Sequence, residues 1–396
     1  MENLNFKRNR VSSIDILRGI IMLIMALDHT RDYFHVKGIS EDPANLATTT
    51  PALFFTRWIT HFCAPVFIFL SGLSAFISGQ GKTKKELSKF LITRGLWLVL
   101  FEIVVMNLIL TFNPAYNTIL LLVIWAIGWS MVILGLLVLT SYQTILIAGL
   151  VIFLGHNITD HINFTRGGII GELWKTLLAA RGSVYTLGPD RVVLMGYTIL
   201  PWTSIMLLGY SLGHFYKREM NEAQRKKSLL AIGAGLIVLF VVLRLINGYG
   251  DPSPWTTQKS WLFTVLSFLN TTKYPVSLQY ACMTLGPAIL FLAYSEKLKS
   301  RFTGFATVYG RVPLFYYAGH FLLIHMLCVI VFFATGHSFS EIADPQSPFL
   351  FRPVDFGFSL TVTYLFWLMV ILLMYYPCKW YGQYKATHQK WWLSYL

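Results

Sequence analysis

"LRGIIMLIMALDHTRDYFH", Leu17 to His35, opens as an apolar helix and closes on Asp28, His29, Thr30, Arg31 and Asp32. Read from residue 14 to 34, the stretch is long enough to cross a bilayer, which takes about 20 residues at 1.5 Å each. Ionisable groups at membrane depth are costly and mark function. Their positions on the helix therefore matter. Arg18 and His29 stand 11 positions apart. That is three turns plus about 20°, so they share one face, with Cα atoms about 16 Å apart along the axis. Met22 and Met25 lie on the same stripe. Asp15, three residues before Arg18, suits an ion pair with it. Asp28 lies about 100° around the helix from His29. Asp32, at i+3, is the better local carboxylate to orient the imidazole, and Asp28 is expected to face another helix.

The rest of the chain repeats this apolar character. Of 396 residues, 55% are hydrophobic and only 13% are charged, against about 25% charged in soluble domains. Mean hydropathy is +0.57. The composition predicts an all-α, polytopic integral membrane helix bundle, with residues 1–396 as one transmembrane domain in the lipid bilayer. Ten spans are expected, near 14–34, 53–79, 90–111, 118–140, 142–155, 192–216, 228–247, 276–295, 312–334 and 356–377. Residues 261–270 read as a short interfacial or re-entrant helix. The net charge of +14 does not imply nucleic acid, because the basic residues sit in short loops and the aromatics accompany no basic groove.

Charge asymmetry orients the spans. With the N-terminus in the cytoplasm, Lys7, Arg8, Arg10, Arg18, the group from Lys82 to Arg94, the group from Lys217 to Lys227, the group from Lys297 to Arg311 and the basic C-terminus all fall inside. They make up 21 of the 32 Lys and Arg residues. Both termini are then cytoplasmic, with a short N-terminal segment 1–13 and external loops near 35–52, 156–191, 248–275 and 335–355. "MENLNFKRNR" lacks the apolar core and cleavage site of a signal peptide, so the first span is expected to be retained. "TRGGIIGELWKTLLAARG" reads as an amphipathic helix on the membrane surface.

Other ionisable groups fall at depth. Arg57 and His61, at i,i+4, share a face. Glu102 lies mid-span and is a candidate ion-pair partner for an arginine of a neighbouring helix. Arg311 and His325 fall within about 40° of one another, with His320 nearly opposite Arg311. Cys63, Cys282, Cys328 and Cys378 have no ligand spacing and read as free thiols. No HExxH occurs, and His156/His161 and His320/His325 are spaced i,i+5, so no metal is expected. Ser71, Ala75 and Gly79 at i,i+4 steps look like a helix-packing seam. A secondary transporter using Asp28 and His29 as a proton relay is the competing reading. Paired Gly/Pro interruptions in two halves would favour it, and they are not evident.

"RVSSIDILRGIIMLIMALDH", Arg10 to His29, resembles the N-terminal signature of the heparan-alpha-glucosaminide N-acetyltransferase catalytic-domain family. The Arg18-x10-His29 spacing also resembles the R-x10-H motif of acyltransferase-3 type membrane proteins. "TTTPALFFTRWITHFCAPVFIFLSGLSAF", "FLNTTKYPVSLQYACMTLGPAI" and "GRVPLFYYAGHFLLIH" carry the likeness to about residue 325. The resemblance implies an acetyltransferase of the bacterial cytoplasmic (inner) membrane. It would take acetyl-CoA from the cytoplasm and modify a hydroxyl or amine of a sugar, glycan or envelope molecule outside. On that reading Arg18, Arg94 and Arg311 are candidate contacts for the CoA phosphates. His29 acts as general base or as acetyl carrier. Asp32 orients His29, and Asp28 holds the acceptor or positions an oxyanion donor. Arg57, His61, His320 and His325 are candidates for the acceptor pocket. The oligomeric state is left open, a homodimer included.

Overall fold

The computed structural model describes residues 11–162, 167–179, 183–217, 219–388 and 390–394. Lys7, Arg8, Arg10 and Arg218, which entered the charge count, lie outside the described residues. The first helix, α1 (Ser12–Phe34), is followed by α2 (Pro51–Thr60) and α3 (Cys63–Gly79). Next, α4 (Lys84–Phe101) runs through a π turn, Glu102–Met106, into α5 (Asn107–Thr111). Strand β1 (Thr118–Leu121) leads to α6 (Val123–Leu137), α7 (Tyr142–Gly155) and α8 (Gly168–Trp174). Strands β2 (Ser183–Thr186) and β3 (Val192–Met195) precede α9 (Ile199–Leu212) and α10 (Glu222–Ile246). The chain closes with α11 (Trp261–Leu269), α12 (Leu278–Ser295), α13 (Arg301–Gly310), α14 (Pro313–Ala334) and α15 (Leu360–Thr387). Ser or Thr side chains cap α2, α4, α7, α11, α12 and α13, accepting a backbone N–H that the first turn leaves unpaired.

The chain is an all-α polytopic membrane protein. Among the described residues, seven helical stretches are long and apolar enough to cross a membrane: Pro51–Gly79, Lys84–Thr111, Tyr142–His161, Glu222–Ile246, Leu278–Ser295, Pro313–Ala334 and Leu360–Thr387. The other three expected spans are also helical, for visible reasons outside that set. Helix α1 carries Asp15, Arg18, Asp28, Arg31 and Asp32, and α6 and α9 have 15 and 14 residues. The expected spans 118–140 and 192–216 both start as strands rather than helix. There β1 pairs parallel with β3, and β2 antiparallel with β3, an element the apolar runs concealed. Where a membrane-surface helix is expected within 156–191, the described residues hold the helix α8, continued by a π turn over Lys175–Ala179; residues 163–166 and 180–182 of that stretch lie outside them.

Helix α1 is the hub, packed against α2, α3, α12, α13, α14 and α15. Its charged groups therefore face protein instead of lipid. Small residues allow the closest approaches. A Cβ on Gly19 would sit 1.9 Å from the Ala306 carbonyl oxygen, and one on Gly310 would sit 2.0 Å from that of Asp15. These glycines seat α13 against the inner end of α1. Gly310→Val is expected to lower the thermal midpoint of the detergent-purified protein sharply, an overpacking cost of at least about 1–3 kcal/mol. An unchanged midpoint would contradict this packing.

Two breaks position the site. Pro65, in the first turn of α3, has no N–H to bond the His61 carbonyl four residues back. That carbonyl instead accepts the Tyr280 hydroxyl at 2.7 Å, and the α2–α3 break at His61 and Phe62 follows. At the outer end of α1, the fully buried Arg352 donates to the carbonyl oxygens of Asp32 at 3.1 Å and His35 at 2.7 Å. It satisfies acceptors that the last helical turn leaves open.

Candidate active site

The inner end of α1 borders a cavity of about 640 Å³. Arg18, Arg94 and Arg311, from α1, α4 and the end of α13, all line it, joined by Lys82 and Lys385. Five cations thus surround one carboxylate, Asp15. Arg18 is held in place by donating to Ser74 Oγ at 2.7 Å, Asp15 Oδ1 at 3.3 Å and the Gly310 carbonyl at 3.1 Å. Ser71, Ser74, Ala75 and Ser78 form the α3 wall, and the lining turns apolar at Leu98, Ile124, Ile127 and Met131. Charge at the mouth and an apolar interior suit a phosphorylated ligand with an extended uncharged arm.

This changes two expectations. Ser71 and Ala75 line the cavity instead of forming a packing seam, and Gly79 faces Leu87. The seam runs through Gly72, against the Met206 carbonyl, and Gly209, against that of Phe69. Arg311 caps α13 and is separated from α14 by a turn at Val312. Its helical-wheel relation to His325 therefore does not hold, because the two residues are on different helices.

His29 stands farther out along α1. It stays partly accessible, while Asp28 and Thr30 on either side are buried. Its ring stacks on Phe321 with centroids 3.9 Å apart, and Tyr317 meets it edge-on at 6.2 Å. His29 Nδ1 lies 2.7 Å from Nε2 of His320, a residue of α14. His320 Nδ1 lies 2.7 Å from the Tyr316 carbonyl oxygen, which can only accept. With both rings neutral, the proton assignment follows. His320 Nδ1–H donates to Tyr316, leaving Nε2 as acceptor, and His29 Nδ1–H donates to it. The lone pair of His29 is then on Nε2, free to take a proton.

His320, not Asp32, is therefore the hydrogen-bond partner that orients His29. Asp32 accepts from Arg31 Nη2 at 2.6 Å. The helical wheel compares only carboxylates on α1 and is blind to a partner on another helix. Asp28 does face another helix, as expected: Arg57 Nη1 of α2 donates to its Oδ2. Arg31 Nη2 lies 3.0 Å from Asp28 Oδ1, an ion pair without hydrogen-bond alignment. Engaged in this way, Asp28 braces α1 against α2, which leaves it poorly placed to hold an acceptor.

His61 sits at the α2–α3 break, buried, with Nδ1 unpartnered and its ring 5.2 Å from that of Tyr280. Lys273, from the segment before α12, adds a cation whose field acts on Asp28, His29 and His61. Arg57 pairs with Asp28, the neighbour of His29, His61 lies in the field of that pair, and His320 meets His29 itself. His325 does not join them. It stacks on Phe112 at 3.7 Å, and its ring nitrogens face the carbonyls of Ile109 at 3.1 Å and Leu350 at 2.9 Å. That ring ties α14 to the end of α5 and an outer loop. Lys273, Tyr317, Phe321 and Ser74 were missed as site residues. Each lies in a quoted family-like stretch, but nothing in its own spacing sets it apart.

The arrangement places a cation-lined cavity at one end of α1 and, farther along the same helix, an imidazole held by His320 and Phe321. The sequence profile described as heparan-alpha-glucosaminide N-acetyltransferase, catalytic, matches residues 10–243, more than half of the chain. A comparison with curated proteins returns no match. Arg18, His29, Arg57, His61 and Arg94 fall inside the matched segment, and His320 and Arg311 come from beyond it. The chain belongs to the heparan-alpha-glucosaminide N-acetyltransferase catalytic-domain family of membrane acetyltransferases.

Proposed function

We propose that the protein takes an acetyl group from cytoplasmic acetyl-CoA and delivers it to a hydroxyl or amine of a sugar or envelope molecule on the external face of a bacterial cytoplasmic membrane. Ten spans with both termini cytoplasmic fit this reading, as does a single domain over residues 1–396, since His320 reaches back to His29. The observation that carries the proposal is the geometry of α1. Arg18 lies in a five-cation cavity, and His29, on the same helix face about 16 Å outward, presents a free Nε2. The phosphates bind at Arg18, Arg94 and Arg311, and the uncharged arm follows the apolar lining outward. His29 Nε2 takes the acceptor's proton as that atom attacks the thioester carbon, or attacks the carbon itself to carry the acetyl group. His320 keeps the proton on Nδ1 in either case. A proton relay for transport has less support, because Asp28 is paired with Arg57 and Arg31.

Calorimetric titration of the detergent-purified protein with acetyl-CoA tests the donor half. Saturable binding is expected. Arg18→Gln and Arg311→Gln should each weaken it by about tenfold or more, since one charge-assisted hydrogen bond contributes about 1.5–3 kcal/mol. Absence of acyl-CoA binding in the unmodified protein would sink the proposal.

A further inference from the structure

Glu102 is a membrane-depth carboxyl with no role in either half of the site described above. It is fully buried, and Oε1 accepts the Leu122 backbone N–H at 2.9 Å. Among the described residues no arginine pairs with it, and Oε2 has no hydrogen-bond partner. Glu102 opens the π turn Glu102–Met106, an inserted residue of the kind that recurs at functional sites. Asn107 clamps that turn, donating to the Glu102 carbonyl at 2.8 Å and accepting from Leu120 N–H at 2.6 Å.

Two links connect this buried carboxyl to the apolar part of the cavity lining. Arg94, Leu98 and Glu102 follow one another at four-residue steps, and Arg94 and Leu98 line the cavity. Glu102 is about 12 Å beyond Arg94 along the axis, against about 16 Å from Arg18 to His29. Leu122, which bonds Glu102, is two residues before Ile124, another lining residue. On the other side stands Tyr317. Were Glu102 ionised, its charge would act on that phenol more than Tyr274 or Tyr33 does, and Tyr317 packs edge-on against His29. Glu102 is thus linked to the cavity lining on one side and, through Tyr317, to His29 on the other.

We propose that Glu102 is the acid that protonates the departing thiolate of the acyl donor, a role that rests on the acetyl-CoA reading above. A carboxylate at Oε2 would be a buried charge with no paired cation among the described residues, which is costly. The carboxylic acid puts a proton on Oε2, which has no hydrogen-bond partner among the described residues. In the step, the acceptor atom bonds to the acetyl carbon and its proton passes to His29 Nε2. The carbon–sulfur bond breaks with its electron pair going to sulfur, and the Glu102 proton goes to that sulfur. Acetylated acceptor and CoA thiol leave. The imidazolium of His29 then loses its proton to solvent, and the carboxylate of Glu102 regains one from solvent once the products have left. If His29 carries the acetyl group, the thiolate needs the same proton.

The test compares Glu102→Gln and Glu102→Ala with the unmodified protein, using acetyl-CoA and glucosamine. Glu102→Gln should lower kcat about 100-fold, with acetyl-CoA binding and the thermal midpoint unchanged, because an amide fills the space but gives up no proton. Glu102→Ala should regain transfer with added formate and not with formamide, which has the same size. Near-normal kcat in Glu102→Gln would overturn the proposal. So would equal rescue by formamide, or misfolding of both variants, either of which would assign Glu102 to the fold. Failure of the unmodified protein to use acetyl-CoA is a separate result that sinks the donor reading itself.

Discussion

His29→Ala is expected to lower acetyl transfer by at least about 100-fold, the usual contribution of a positioned acid–base group. Binding of acetyl-CoA should survive. The phosphate contacts proposed above are Arg18, Arg94 and Arg311, which line the cavity, and Arg18 is about 16 Å inward along α1. The removed ring is held by α14 through His320 and Phe321. The substitution leaves the ion pairs of Asp28 untouched, so the fold should persist. Parallel measurement of transfer and of acetyl-CoA affinity checks this. Equal loss of both would mean that His29 serves the architecture, and retained transfer would remove it from the chemistry.

Arg57→Met is expected to give the largest loss of stability among the charged positions. Its pair with Asp28 is shielded, with the two side chains 14% and 12% exposed. Of the cations that remain near Asp28, Arg31 is shared with Asp32, and Lys273 acts on Asp28 through its field without a recorded ion pair among the described residues. Removing one partner of a buried pair costs about 3–5 kcal/mol, because the other charge stays buried. The expected loss is near the lower figure, since Arg31 still offsets part of the carboxylate. Arg57→Met combined with Asp28→Asn should recover much of it, as no unpaired charge remains. Denaturation in detergent micelles, run as a double-mutant cycle, reads the coupling directly. A loss of less than about 1 kcal/mol for Arg57→Met, the value of an exposed pair, would contradict the packing of α1 on α2.

The inner half of the site was legible in the sequence, and the outer half only in part. Arg18 and His29 share a face because an α-helix repeats every 3.6 residues, which needs no knowledge of neighbours. Arg94 and Arg311 were reachable through charge asymmetry and the preference of guanidinium for phosphate, and they do meet Arg18 at one cavity. The partner of His29 was not legible. Within α1, Asp32 is the best candidate by angle, yet the bond goes to His320, 291 residues away. Periodicity constrains one helix and says nothing about which helix faces it. The same limit hid the Asp28–Arg57 pair, the loop position of Arg311 and the role of His325 as a tie. Strands β1, β2 and β3 escaped because four-residue apolar strands merge into adjoining helical runs.

The central claim is that one helix carries an acetyl group from a cytoplasmic donor to an external acceptor. Proteoliposomes containing the protein in a single orientation test it most directly. Acetyl-labelled acetyl-CoA is supplied on the side of the Arg18 cavity, and glucosamine is sealed on the opposite side. The account predicts that labelled acetyl-glucosamine accumulates opposite the donor, that CoA thiol stays on the donor side, and that His29→Ala abolishes both products. Transfer only when donor and acceptor share one compartment would contradict it.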